Sequence, residues 1–131
     1  GAYQNGHSIQ VSQVAQLNQA IIATGFPYAR KKMEAIADLL LLILKEARGG
    51  RRLGSAAIDL AFTACGRFDG YYETQINAWD VAAGILIVRE AGGQVSDFKG
   101  SGYPVFSTHI LATNPQLYPQ IMNLIKQVDL N

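Results

Sequence analysis

A chain of 131 residues that is 49% hydrophobic and 16% charged is globular and long enough for one domain, burying roughly two thirds of its unfolded surface. With 11 basic and 10 acidic residues the net charge is +1, which gives no field to draw nucleic acid or an anionic membrane. The single cysteine, Cys65, excludes an internal disulfide; among Ala61, Phe62 and Ala64 it reads as a small buried hydrophobe, and the pattern fits a reducing cytoplasm.

In chain order, "NGHSIQVSQ" reads as a turn at Asn5 and Gly6 entering a strand over residues 9–12, as though the chain began partway through a sheet. The start lacks the charged region, apolar run and cleavage site of a secretion signal. A second strand is expected over 20–24. "GFPYARKK" then leads through Pro27 into a helix over about 30–48, on which Met33, Ile36, Ala37, Leu40, Leu41, Leu44 and Ala47 recur at helical spacing. Its greasiest run, 35–47, contains Asp38 and is shorter than the roughly 20 apolar residues a membrane span requires, so it is a core helix. Gly49 and Gly50 are expected to close it. A second helix is bounded by Ser55 as N-cap and Gly66 as stop. The aromatic segment "RFDGYYETQI" reads as a strand over 68–73, and a third helix runs from Asp80 to Gly92 and Gly93. "GQVSDF" gives a short strand, "KGSGYPVFST" a loop and "HILATN" another strand. Asn114 as N-cap and Pro115 at the first helical position open a last helix bearing Leu117, Ile121, Leu124, Ile125 and Val128. No repeat or interior linker interrupts the alternation, which predicts one layered α/β domain over 1–131.

The Asp80 helix is the unusual element. From 81 to 88 it offers no polar side chain, which predicts burial nearly all round, with Ala82, Ala83 and Gly84 allowing close backbone approach. A carboxylate at such an N-terminus has two available jobs: an N-cap, worth about 0.5 to 2 kcal/mol, or a hard oxygen ligand for Mg²⁺ beside substrate phosphate. Local spacing leaves both open. Gly54 and Ser55 likewise cap a helix and also present free N–H groups to an anion or hydroxyl. Glu73 reads, from local sequence, as an exposed strand residue. Arg51 and Arg52 read as solvated charges or contacts to a second subunit, and Arg30, Lys31 and Lys32 as an exposed first turn. His7 and His109 are isolated, which argues against zinc.

"WDVAAGILIVREAGG", "RRLGSAAIDLAFTACGRFDGYYE", "GAYQNG" and "ATGFPY" together resemble the C-terminal half of the inositol monophosphatase family, and the resemblance covers nearly the whole chain. It implies the C-terminal domain of that sugar-phosphatase fold, a layered mixed β-sheet flanked by helices, and a Mg²⁺-dependent phosphoric monoester hydrolase. The resemblance makes Asp80 a metal ligand, places Gly54, Ser55 and Ala56 in the substrate pocket with Ala57 beside them, and gives Glu73 a substrate hydroxyl. The family's upstream glutamate and D-P-[IL]-D-G-T/S segment do not occur here, so the resemblance also implies a missing N-terminal half, an inactive isolated chain, and an apolar patch where that half would sit. A phosphate monoester of inositol or a similar polyol is the implied substrate. Fructose bisphosphate, histidinol phosphate and nucleotide bisphosphates stay open, as does a noncatalytic interaction module that keeps the fold. The family further implies a homodimer for the intact enzyme, while the balanced charge and the short apolar run leave neither nucleic acid nor membrane as an expected partner.

Overall fold

The computed structural model describes residues 1–26 and 33–130; Pro27 and the basic cluster Arg30, Lys31 and Lys32 fall outside them. Asn5 and Gly6 both take positive φ, 52° and 80°, the two-residue turn that matches strand twist. That turn pairs Gln4 with His7 at once, so β1 (Ala2–Gln4) and β2 (His7–Ile9) form the hairpin, and the strand placed over 9–12 lies earlier than expected.

The main sheet has five strands in the order β4-β3-β5-β7-β6. Its β3 (Ile21–Thr24), β4 (Gly49–Arg51) and β5 (Gly70–Thr74) are parallel. Its β7 (His109–Thr113) runs antiparallel to both β5 and β6 (Gln94–Ser96). The strand β4 corrects the sequence reading: Gly49 and Gly50 follow helix α1 (Met33–Glu46), but they lie extended against Ile21 and Ile22 instead of forming a glycine cap. Two small residues can complete a ladder that a local pattern search, looking for β-branched runs, passes over.

Alternation along the strands divides the core. Ala23, Tyr71, Val95, Ile110 and Ala112 face one layer, with Leu60 and Ala64 of α2 (Ala56–Ala64) and Val81, Ile85 and Val88 of α3 (Ala78–Glu90). Ile22, Tyr72 and Leu111 face the other, with Ile36, Leu39 and Ile43 of α1 and Ile121, Leu124 and Ile125 of α4 (Tyr118–Ile125). The chain is therefore helix pair, sheet, helix pair, as period-2 strands with two apolar faces require. The inner stripe of α1 is narrower than its composition suggests, since Met33, Leu41 and Leu44 are exposed. The last helix starts at Tyr118, not Pro115; Asn114, wholly buried, accepts the Leu117 N–H at 2.8 Å while its amide reaches Ser12 and Val14, so it caps the preceding turn and pins the N-terminal segment.

Helices α2 and α3 pack closely because position 84 is glycine: a Cβ there would lie 2.7 Å from Leu60 Cβ. The other side of α3 is open. Ala82, Ala83 and Leu86 are exposed, as are Trp79 (81%) and Ile58 of α2, so burial all round fails for this chain and an apolar helix face is left uncovered. Cys65, at the C-cap of α2, is half-buried and borders this face, less enclosed than expected. Among the described residues no helix is long and apolar enough to cross a membrane.

Candidate functional site

The three parallel strands end on one edge of the sheet. There β3 runs into Gly25 and Phe26, β4 into Arg52 and Gly54, and β5 into Gln75. The helix that follows β3, α1, packs on one face of the sheet and the helix that follows β4, α2, on the other, which leaves a crevice between the strand ends, the usual ligand position in open parallel sheets. The resulting cleft has a volume of about 610 Å³. Gly54, Ser55 and Ala56, from before and within the first turn of α2, Glu73 from β5, and Asp80 from the first turn of α3 all line it, so every site residue read from the sequence opens onto one space.

Local sequence explains each placement. Gly54 takes φ +87°, a conformation other residues resist, and so turns the chain from β4 into α2. Ser55 is the N-cap as expected, its Oγ accepting from the Ile58 N–H at 3.3 Å. The N–H groups of Ala56 and Ala57 cannot be paired within the helix, and both residues border the cleft. Asp80 differs from its reading as N-cap. Asn77 holds that position, and Asp80 is the third helical residue, reaching back so that Oδ2 accepts the Asn77 N–H at 3.2 Å, which is half of a capping box. Both alternatives for Asp80 remain compatible, because Oδ1 has no hydrogen bond among the described residues. Gln75, with φ 58°, makes the sharp exit from β5 that brings Glu73 and Asp80 into the same cleft.

Glu73 is partly buried, and burial raises its pKa above the ordinary carboxylate value; the Tyr71 hydrogen bond opposes this, Asp80 adds to it, and Arg52 opposes it. The Tyr71 hydroxyl donates to Glu73 Oε1 at 2.6 Å. Burial, followed by the charge of Glu73 and the bond to it, holds the Tyr71 phenol well above its usual range, so it remains a donor. Arg52, read as a solvated or subunit-contact charge, is exposed and lines the cleft with its guanidinium over the Phe26 ring, 5.7 Å from the centroid. Asp59, on the inner face of α2, has no exposed surface and no hydrogen-bond partner for either oxygen among the described residues. Burial, then the charge of Glu73, pushes its carboxyl up to about 7 against the pull of Arg52.

Tyr71, Gly25, Asp59 and Arg52 carry no site motif of their own. The signals were present but indirect: Tyr71 shares a strand face with Glu73 at i−2, and Asp59 is a charge on the apolar stripe of Leu60, Thr63 and Ala64. Among the described residues no group of three or more His, Cys, Asp or Glu side chains is gathered closely enough to hold a metal ion. Asp80, with one uncommitted oxygen, is the residue whose chemistry fits a hard cation, and one carboxylate is a partial donor set.

Fold and cleft define a layered α/β domain with an acidic crevice at the carboxyl ends of its parallel strands. The sequence profile of the inositol monophosphatase family matches residues 1–130, and the chain belongs to that family. It is 43% identical over 129 residues to the putative Nus factor SuhB of Neisseria meningitidis serogroup A, covering 95% of this chain and 48% of that protein. It is 46% identical over 122 residues to the inositol-1-monophosphatase of Synechocystis, covering 92% of this chain and 42% of that one. The crystal structure of the extragenic suppressor protein suhB from Bartonella henselae superposes with a TM-score of 0.89 at 37% identity, covering 94% of this chain and 48% of that chain. The chain thus spans about half the length of the curated relatives it matches.

Proposed function

We propose that this chain is the substrate-orienting half of a phosphoric monoester hydrolase acting on inositol monophosphate or a similar polyol phosphate. The carrying observation is the convergence of Gly54, Ser55, Ala56, Glu73 and Asp80, from three separate segments, on one cleft. The first N–H groups of α2 bind an anionic or hydroxyl oxygen without a rearrangement. Glu73, an acceptor when ionised, takes a hydroxyl of the polyol. Asp80 contributes one carboxylate oxygen toward Mg²⁺, which when bound supplies charge stabilisation at the phosphate oxygens. Arg52 adds a fixed positive charge at the cleft wall.

The uncovered face of α3, with Trp79 and Leu86, is the seat we assign to the half of the fold that the relatives carry in addition. Water and nucleophile activation fall to that half, so the 131 residues alone release little phosphate. A cytoplasmic setting accords with the lone thiol. The test is to combine the chain with a relative's preceding half and assay phosphate release from inositol monophosphate with Mg²⁺. Turnover that needs both pieces supports the reading; substantial turnover by the chain alone refutes it. A second reading, a factor that works by binding, is favoured by the name Nus factor carried by relatives at 42–43% identity. Combined halves that fold together but hydrolyse none of the polyol phosphates would favour it.

A further inference from the structure

Glu73 does not lie loosely in the cleft. It shares β5 with Tyr71, two residues earlier, so both side chains leave the same face of the sheet. Tyr71 has no exposed surface, and its hydroxyl is within 2.6 Å of Glu73 Oε1. On the neighbouring strand, the register Ala23 to Tyr71 and Thr24 to Tyr72 brings the next residue, Gly25, alongside Glu73. A Cβ built at Gly25 would fall within 2.8 Å of Glu73 Cδ, Oε1 and Oε2, so the carboxylate lies against bare backbone that only glycine leaves open. Oε2 has no hydrogen bond among the described residues, and Glu73 lines the cleft.

We propose that Tyr71 and Gly25 are positioning residues for Glu73: the Tyr71 hydroxyl occupies Oε1, Gly25 provides the floor, and Oε2 is presented to one hydroxyl of the polyol phosphate. This rests on the reading of Glu73 as hydroxyl acceptor and sharpens it, because a carboxylate already committed through one oxygen does not clasp two vicinal hydroxyls with both. A side chain fixed before binding loses less rotamer freedom when the substrate arrives, so its loss weakens substrate binding more than turnover.

The test uses the combined protein carrying this half, with inositol monophosphate and, as a substrate without ring hydroxyls, phenyl phosphate. Glu73→Gln and Tyr71→Phe are each expected to raise KM for inositol monophosphate by roughly tenfold, with kcat changed by less than about threefold and KM for phenyl phosphate by less than about twofold. Gly25→Ala is expected to raise the inositol monophosphate KM at least as far. Independently of activity, a carbon-detected NMR titration of the 131-residue chain is expected to show the Glu73 pKa rising in Tyr71→Phe, since the bond that favours its ionised form is gone. If Glu73→Gln raises KM while Tyr71→Phe leaves both KM and the Glu73 titration unmoved, the positioning roles are wrong and the acceptor reading stands. If Glu73→Gln leaves KM unchanged, the acceptor reading falls and takes the positioning roles with it. An equal rise in KM for both substrates would mean general damage and would also overturn the proposal.

Discussion

Asp59 makes a quantitative demand on the stability of this chain. Its carboxyl is wholly buried without a hydrogen-bond partner among the described residues, and it titrates at about 7 in the fold against 3.8 in the unfolded chain. Between those values the folded state binds the additional proton, so the stability from this group is fully present below about pH 4 and is lost as pH rises through 7. The interval from 3.8 to about 7, at about 1.4 kcal/mol per pH unit, comes to about 4 kcal/mol. Asp59→Asn keeps the shape and removes the charge, but leaves a buried amide whose own unmet hydrogen bonds cost about 1 to 3 kcal/mol. The charge effect wins only at high pH. Urea unfolding across the range from about pH 4.5 to about pH 8 is therefore expected to show the wild-type midpoint falling steeply while the curve of the Asp59→Asn variant is flatter, with the variant more stable by roughly 1 to 3 kcal/mol at the alkaline end. Glu73, whose pKa is also raised by burial, contributes the same sign of slope in both proteins and does not cancel the difference. Parallel curves would refute the reasoning, because they would mean that Asp59 is either paired or solvated.

Gly84→Ala is expected to destabilise the chain by about 1 to 2 kcal/mol in the same urea assay: wedging α2 from α3 costs about 2 to 3 kcal/mol, the upper part of the overpacking range because Leu60 Cδ1 and Cβ would lie 2.5 and 2.7 Å from the new methyl, and the helix-propensity gain of about 1 kcal/mol offsets only part of it. Its neighbour Leu60 meets the new methyl through Cβ, which cannot rotate away, so a neutral or stabilising result would contradict the packing. Leu86→Glu, on the uncovered face of α3, is expected to leave the urea midpoint of the chain within about 0.5 kcal/mol. The same change should abolish assembly with the other half, whereas unaltered assembly would place the interface elsewhere.

Much of this architecture is legible in the sequence. The cap of α2 and the glycines that end α2 and α3 are local chemistry: Ser55 bonds within one helical turn, and Gly66 and Gly92 take φ +83° and +89°. The site residues were legible through motifs rather than periodicity. What local sequence could not show is what depends on a neighbouring strand or layer. Gly49 and Gly50 form a strand only because β3 is beside them, and Asn114 is fixed by Ser12 and Val14, 100 or more residues away. The partial exposure of α3 has the same origin. A helix without polar residues announces two apolar neighbours, and this chain supplies one. Arg52 and Gly25 acquire their places in the cleft, and Tyr71 its place beneath Glu73, from the register of β3 with β4 and β5, which no single segment encodes.

Mg²⁺ titration followed by calorimetry tests most directly whether Asp80 is one contributor to a shared cation site. The 131-residue chain alone is expected to bind Mg²⁺ with a dissociation constant on the order of millimolar or weaker, since one carboxylate holds this ion poorly. The protein assembled with the other half should bind it far more tightly, and Asp80→Asn should reverse most of that gain. Micromolar binding by the chain alone, or an assembled Asp80→Asn variant that binds as tightly as the parent, would contradict it.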